Sequence, residues 1–296
     1  MFLRLVFLAS ILLISALGGS CSRILFLTPL GTKSHKHVLE PLIRALGQRG
    51  HSVTVLANVK SIDLGPNVTE HVLINIQDFL TSFPNPFEDR KHGILNSFWD
   101  LDFVFDAAES IFENPEFHRI MRQPYDLVIV NGLMNDIFEG YLPHIGAPYI
   151  HITSMAAPNT ITSRLGNWLP PSFVPHSFFP FSETMTFVER LLNTVLDTIF
   201  WAVRHPRLSR RYEKIYRKYL GEDTPSIDEI HKNTSLLLMN SHYNFPAPRP
   251  TLPDVIHVGG MHCGPAKPLP KVMRMTNLNV LVSDAFTILS ELRKVS

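Results

Sequence analysis

Two histidines of this 296-residue chain follow a short apolar run at 24–27, where an imidazole could act as a base. They are His35 and His37, and a short loop with a single glycine, Gly31, separates them from the run 24–27. A near-neutral imidazole can remove a proton from a hydroxyl group, provided that a neighbouring group holds its tautomer. Spacing alone leaves an alternative, in which both histidines are solvated residues at the start of a helix.

Other chemistries find no support in the motifs. The loop before the histidines has neither GxGxxG nor GxxxxGK[ST], so a dinucleotide or P-loop site is not expected, and no GxSxG elbow is present. The 14 histidines show no metal-ligand spacing such as HExxH, so we expect neither a metal nor a cofactor. The net charge of +1 arises from 27 basic and 26 acidic residues without a long basic block, so nucleic acid is not an expected partner.

Alternating apolar runs and amphipathic stretches predict the elements that would position these side chains. A strand at 23–28, a helix from Ser34 (its N-cap) to Arg49, and a strand at 53–57 form a right-handed βαβ unit. Further strands are predicted at 72–76, 126–130, 149–152, 236–239 and 255–258, and helical regions at 78–121, 135–144 and 183–220, the last broken near Pro206. This alternation predicts an α/β fold with a doubly wound, mostly parallel, Rossmann-like sheet. Ligands would then collect at the carboxyl ends of its strands, at the loop 28–37 and from Asn131 onward.

The N-terminus has the layout of a secretory signal peptide. Arg4 precedes an apolar run at 5–17 and the small residues 18–20. The run is shorter than the roughly 20 residues that a membrane span needs. We therefore expect residues 1–20 to be removed, leaving a chain without an anchor in the endoplasmic reticulum lumen or the secretory pathway.

Two glycosylation sequons and two cysteines bear on the same compartment. The sequons begin at Asn67 and Asn233 and fit a luminal route. Cys21 and Cys263 are the only cysteines, so a disulfide framework is absent, and one bridge between them is an open alternative.

Several segments have an order and spacing that together are specific to one family. They read RILFLTP (23–29), SH (34–35), LIRALGQRGHSVTV (42–55), YDLVIV (125–130), MTFVERLLN (185–193), SLLLMNSH (235–242), RP (249–250), VGGMH (258–262) and KPLP (267–270). The chain thereby resembles UDP-glycosyltransferases of the UDP-glucuronosyltransferase type, the insect members most closely, over roughly residues 23–270.

The resemblance implies a GT-B fold in which the N-terminal domain binds the acceptor and the C-terminal domain binds UDP-sugar. Residues 21–270 correspond to the acceptor domain, and His35 falls on the family's catalytic histidine, whereas His37 has no such match. The family's paired aspartate is replaced by Asn131, and Asp136 either takes over its role or is an exposed helix acid. In the implied mechanism His35 takes the acceptor proton, the oxygen attacks the anomeric carbon, and UDP leaves from the opposite face with inversion.

Two further segments carry expectations. The loop 158–180, with Trp168, Phe173 and Phe178, is a candidate wall for an apolar acceptor, with ordinary loop packing as the alternative. Residues 271–296 depart from the family, and their apolar spacing predicts an amphipathic helix. The donor domain and the family's membrane span are expected to be missing from this chain.

The expected function is transfer of a hexosyl or glucuronosyl group from UDP-sugar to small lipophilic hydroxyl-bearing acceptors. The alternative is a non-catalytic luminal fragment that binds ligands or regulates full-length family members. An incomplete gene model is a third explanation for the divergent tail.

Overall fold

The computed structural model describes residues 21–74, 102–176, 181–243 and 249–264. The chain up to His262 forms one compact unit, and a second unit begins at Cys263. The predicted signal peptide, Phe178, the Pro-rich segment 265–270 and the tail 271–296 lie outside the described residues.

Seven strands of the described chain form one sheet in the order β3-β2-β1-β4-β5-β6-β7. They are β1 (Arg23–Thr28), β2 (Ser52–Ala57), β3 (Val68–Val72), β4 (Leu127–Asn131), β5 (Tyr149–Thr153), β6 (Leu237–Met239) and β7 (Val255–His257). Every neighbouring pair is parallel. The predicted doubly wound parallel sheet is confirmed.

Helices connect the strands. They are α1 (Lys33–Gln48), α2 (Asp102–Phe112), α3 (Pro115–Met121), a 3-10 helix (Asp136–Tyr141), α4 (Leu142–Ile145), α5 (Asn159–Thr162), a short 3-10 helix (Ser163–Leu165), α6 (Phe187–Ile199), a π-helical turn (Phe200–Arg204), α7 (His205–Leu220) and α8 (Ile227–His231). No helix in the described ranges combines the length and the apolarity required to cross a bilayer.

The sheet is buried on both faces, which explains the unbroken apolar run in β1. Leu25 and Leu27 point into a core shared with α2, α3 and α7. Ile24 and Phe26 point to the other face, where α1 covers them. A strand covered on both sides must be apolar at every position rather than at alternate ones.

Two predicted boundaries are wrong. α1 begins at Lys33, and Thr32 rather than Ser34 occupies the N-cap, without a side-chain capping bond. The third strand is Val68–Val72 rather than 72–76. It pairs with β2 in the register Val53↔Val68. This strand lies at the edge of the sheet and its residues are partly exposed, so its sequence is less apolar than the residues that follow it. A prediction based on hydrophobicity therefore selected the following residues instead.

Two predicted helical regions have a different form. The region 135–144 is a 3-10 helix followed by one α-turn that ends at Gly146, which has a φ of 68°. In the region 183–220 the break is a π-helical turn at Phe200–Arg204, directly before Pro206. Proline has no N–H to give to the preceding turn, so the hydrogen-bond ladder is disrupted one turn before the residue itself.

Candidate functional site

The strand order reverses between β1 and β4, and the candidate residues lie at the carboxyl ends of these two strands. From β1 the sheet grows through β2 to β3, and from β4 it grows through β5 to β7. Thr28 ends β1 and Asn131 ends β4. Connections that leave such neighbouring strands in opposite directions open a crevice, which is the usual ligand site of an open α/β sheet.

Buried asparagines hold the loop between β1 and α1. The Asn135 side chain accepts from the Leu30 N–H (2.8 Å) and donates to the Leu30 carbonyl (3.1 Å), and the Asn58 amide donates to the Gly31 carbonyl. Gly31 has a φ of 135°, a conformation that favours glycine. These contacts fix the direction in which α1 leaves the sheet. Sequence analysis missed both asparagines, although each closely follows a strand end.

His35 lies in the first turn of α1 and is half-buried. Its Nδ1 is buried and has no hydrogen-bond partner in the described chain. A Cβ atom placed on Gly31 would stand 3.7 Å from His35 Nδ1 and 3.9 Å from Asn131 Nδ2, so both nitrogens surround one point. The structure thus brings two of the three predicted catalytic side chains to the same place.

Burial lowers the pKa of His35 below its ordinary value of 6.5. Removing water from around the ring disfavours the charged imidazolium. The neutral imidazole therefore predominates at neutral pH, which is the form that can accept a proton.

Asn131 is fully buried, and neighbours other than His35 engage its carboxamide. Its Nδ2 donates to Thr28 Oγ1 (3.2 Å), and its Oδ1 accepts the Leu133 N–H at 3.3 Å. These bonds tie β4 to β1 at the crevice. The predicted role of Asn131 in orienting the imidazole stays a prediction.

The residues next to His35 on α1 contact acidic side chains away from the candidate site. His37 is 74% exposed at its side chain and contacts Glu40 at 3.2 Å. Lys36 is buried and pairs with Glu70. Glu70 also accepts the Ser61 N–H at 2.8 Å. These contacts tie the start of α1 to β3, a role that nothing in the sequence pattern indicated.

Asp136 is bound to Arg164 and is not the exposed acid of the sequence-based alternative. Its Oδ1 lies 2.7 Å from Arg164 Nη2, and its side chain is 21% exposed. The Tyr216 hydroxyl donates to the Asp136 carbonyl at 2.8 Å. A part for Asp136 beside His35 stays a prediction, and its carboxylate would have to exchange Arg164 for the imidazole.

Behind Asp136 lies a buried ionic cluster centred on Glu139. Glu139 Oε1 is 3.0 Å from His151 Nε2 and 3.2 Å from Arg164 Nη1, and Glu139 Oε2 is 3.0 Å from His231 Nε2. Burial raises the pKa of Glu139, but His151, His231 and Arg164 outweigh it and hold the pKa well below the usual range. By distance Asp136, Glu139 and His231 could hold a metal ion. Arg164 forms an ion pair with each of the two carboxylates and so supplies one positive charge to this cluster.

The two described members of the predicted acceptor wall are half-exposed. Trp168 is 48% and Phe173 is 51% exposed. The Trp168 ring contacts Trp201, with centroids 4.6 Å apart. Buried Asn159 fixes this part of the loop by accepting the Leu169 N–H at 3.0 Å. The rings are accessible to an apolar ligand, and their acceptor role stays a prediction.

Two open depressions lie away from the imidazole. One, of about 430 Å³, is lined by residues that include Pro143, Tyr149 and Ile230. Tyr149 is the first residue of β5, so this depression is at the amino end of the sheet. The other, of about 690 Å³, lies beside α3 and Tyr219. The second depression is also lined by His118, but both of its ring nitrogens are hydrogen-bonded, to the Tyr141 hydroxyl and the Phe112 carbonyl. We therefore assign the site to His35, at the point where the strand order reverses.

The sequons and cysteines lie at the surface. Asn67 and Asn233 are both exposed, and their amides donate to the carbonyls of Gly47 (3.1 Å) and Glu229 (3.3 Å). Cys21 and Cys263 are each free and exposed.

Replacing Asn131 with aspartate is expected to raise the pKa of His35. The new carboxylate would place a negative charge beside the imidazole and stabilise its cation. An NMR titration of the His35 ring measures the shift, and Asn233→Asp, at an exposed position, is the charge-matched control. A folded Asn131→Asp protein with an unchanged His35 titration would contradict the proximity of the two side chains.

Comparison with known proteins gives one consistent result. The sequence profile of the family described as "UDP-glucoronosyl and UDP-glucosyl transferase" matches residues 25–278. UDP-glucosyltransferase 2 of Dactylopius coccus is 30% identical over 278 residues, covering 90% of this chain and 52% of the relative. Human UDP-glucuronosyltransferase 2B28 is 31% identical over 298 residues, covering 89% of this chain and 54% of the relative.

A solved structure gives a weaker likeness. The calicheamicin glycosyltransferase CalG4 is 14% identical with a TM-score of 0.42, covering 80% of this chain and 52% of that protein. The chain spans about half the length of the curated relatives that it matches.

Proposed function

Because this chain belongs to the UDP-glucuronosyl and UDP-glucosyl transferase family, we propose that it forms the acceptor side of a UDP-sugar transferase with His35 as general base. The acceptor is a small lipophilic molecule with a hydroxyl group. The donor is a UDP-hexose or UDP-glucuronate, held mainly by the half of the relatives that this chain does not match.

The proposal rests on the position of the His35 ring and on its lowered pKa. The ring stands at the switch point of the sheet with Nδ1 turned into the protein beside Gly31 and Asn131. This leaves Nε2 as the nitrogen available to a ligand in the crevice. The lowered pKa keeps the ring neutral, as a base needs.

The reaction forms one bond and breaks another at the anomeric carbon. The acceptor oxygen attacks this carbon as its proton passes to His35, and the bond from the carbon to the UDP oxygen breaks. Attack and departure occur on opposite faces, so an α-linked UDP-sugar gives a β-glycoside. Asn131 would orient the ring but, being neutral, offers the imidazolium no full charge.

Two surface features support the remaining parts of the proposal. The half-exposed rings of Trp168 and Phe173 would give an aromatic acceptor an apolar contact surface. The exposed Asn67 and Asn233 are accessible for glycosylation in the lumen of the endoplasmic reticulum, where we place the protein.

The proposal is tested in a fusion protein that adds the C-terminal part of a relative, which this chain does not match. Residues 21–278 are joined to the remaining C-terminal part of the Dactylopius coccus relative, and transfer from UDP-glucose and UDP-glucuronate to 1-naphthol is followed by mass spectrometry. We expect a 1-naphthyl β-glycoside from the fusion, and binding of 1-naphthol by the chain itself in calorimetry.

Two outcomes would overturn the proposal. A folded fusion that binds UDP-glucose but glycosylates none of a panel of phenols and aliphatic alcohols would exclude transfer. If the chain nevertheless bound 1-naphthol, the non-catalytic binding module would replace the enzyme. If the fusion failed to fold, absence of acceptor binding by the chain would refute an acceptor role.

A further inference from the structure

Helix α6 buries polar side chains and exposes apolar ones, the reverse of the usual arrangement on a surface helix. Asn193 and Asp197 are its buried residues. Six apolar residues are between 43% and 72% exposed: Phe187, Val188, Leu191, Leu192, Val195 and Ile199. At 100° per residue these six occupy one arc of roughly 140°, so they form a continuous stripe.

The hydrogen bonds of one buried side chain attach α6 to the segment before it. Asn193 accepts the His176 N–H (2.9 Å) and donates to the carbonyls of Pro171 (2.6 Å) and Val174 (2.9 Å). A capping box of Thr186 and Glu189 starts the helix. The orientation of α6 is therefore fixed by its polar face, and the apolar stripe is held toward solvent.

The helix that follows is strongly basic. α7 has six Lys or Arg residues and one acid, Glu213, in a chain whose net charge is only +1. Five of the basic residues are exposed, and they fall within one arc of roughly 100° on the helix: Arg207, Arg210, Lys214, Arg217 and Lys218. Arg217 and Lys218 have acidic residues at 3.6 Å. Arg207, Arg210 and Lys214 form no ion pair in the described part of the chain.

We infer that the apolar stripe of α6 and the basic face of α7 dock on the surface of a bilayer that contains anionic lipids. An interfacial helix needs an apolar face to enter the boundary between headgroups and acyl chains, and cations to attract acidic headgroups. Trp201, in the π-helical turn between the two helices, pairs with half-exposed Trp168, and indole rings favour this boundary.

Charge favours the bilayer over a second copy of the chain. A two-fold dimer apposes the same patch of both subunits, so a second copy offers the basic face of α7 no complementary acidic surface of its own. An anionic surface instead attracts the exposed cations of α7, including the three that have no ion pair in the described part of the chain. This inference does not depend on the proposed transferase activity.

The experiment measures binding of the purified chain to vesicles by flotation. Vesicles of phosphatidylcholine alone are compared with vesicles containing about 30% phosphatidylserine. Leu191→Glu/Leu192→Glu is expected to weaken binding to the anionic vesicles by at least about tenfold, because it puts two charges into the inserted stripe. Arg207→Gln/Arg210→Gln/Lys214→Gln should lose most of the preference for phosphatidylserine.

The matched control places the same two charges on exposed apolar residues elsewhere. Ile62→Glu/Ile256→Glu changes side chains that are 106% and 42% exposed, so it should leave binding within about twofold. If this control lost as much vesicle binding as Leu191→Glu/Leu192→Glu, the change in net charge alone would explain the effect, and the inference would be overturned. An absence of binding to either vesicle would also overturn it, as would self-association that Leu191→Glu/Leu192→Glu abolishes without any vesicle binding.

Discussion

Replacing His35 with alanine is expected to lower kcat/KM for transfer to 1-naphthol by about 10²–10⁴-fold in the fusion with the relative's C-terminal part. The acceptor hydroxyl would lose the group that takes its proton, while the crevice and the donor site would be retained. Because the ring is half-buried and its Nδ1 makes no hydrogen bond in the described chain, its removal breaks no such bond at that atom. The loss should therefore appear in turnover rather than in folding.

His37→Ala is the matched control, since His37 is two residues away on the same helix and is 74% exposed at its side chain. It should retain transfer within about twofold. Comparable losses in the two variants, or full activity of His35→Ala, would remove His35 from the mechanism. Thermal melting of both variants separates chemistry from stability.

The pH profile gives a second measure of the same group. Burial lowers the pKa of His35 below 6.5, so the active neutral form is lost only on the acid side of that value. We expect kcat/KM to rise with pH through the lowered pKa and to level off at a lower pH than a histidine of ordinary pKa would give. This acid limb should move to higher pH in Asn131→Asp, which stabilises the imidazolium.

Replacing Glu139 with alanine is expected to reduce the free energy of unfolding by about 3–5 kcal/mol. The carboxylate is fully buried between His151, Arg164 and His231. Among the described residues, its loss would leave the buried Arg164 with Asp136 alone as an acidic partner, and it would open a cavity beneath the 3-10 helix. Urea unfolding of the folded chain at pH 7 measures the change.

The control is an exposed ion pair of the same kind. Asp228 lies 3.3 Å from His205 and is 54% exposed at its side chain, so Asp228→Ala should cost less than about 1 kcal/mol. If Glu139→Ala unfolds the chain entirely, Glu139→Gln retains the shape and loses the charge. A cost for the glutamine variant no larger than that of Asp228→Ala would show that the cluster does not stabilise the fold.

The stabilisation by Glu139 should depend on pH in one direction. Its pKa is lower in the folded chain than in the unfolded chain, where a glutamate titrates near about 4.3. Its contribution is thus complete well above that value and is lost as the pH falls through the lower folded pKa. The difference in free energy of unfolding between the wild-type protein and Glu139→Gln should therefore become smaller as the pH is lowered.

The sequence by itself determined the class of fold and the position of the imidazole. The run Ile24–Leu27 is apolar at four consecutive positions, as a strand buried on both faces requires. Its alternation with helical patterns along the chain favours parallel pairing. The loop after β1 then leads to the carboxyl edge of the sheet, so His35 could be placed there without knowledge of any other contact. These inferences depend on local periodicity and on the connection rules for parallel strands.

Only the tertiary structure decided which polar groups meet. Asn135 reaches Leu30, and Arg164 reaches Asp136 and Glu139, across sequence separations of 105, 28 and 25 residues. Periodicity gives the face on which a side chain lies but not its distant partner. For the same reason the sequence assigned Asp136 to an exposed position or to His35 and did not foresee Arg164. The apolar spacing of α6 predicted a helix correctly, but which face turned inward was decided by the hydrogen bonds of Asn193 to another segment.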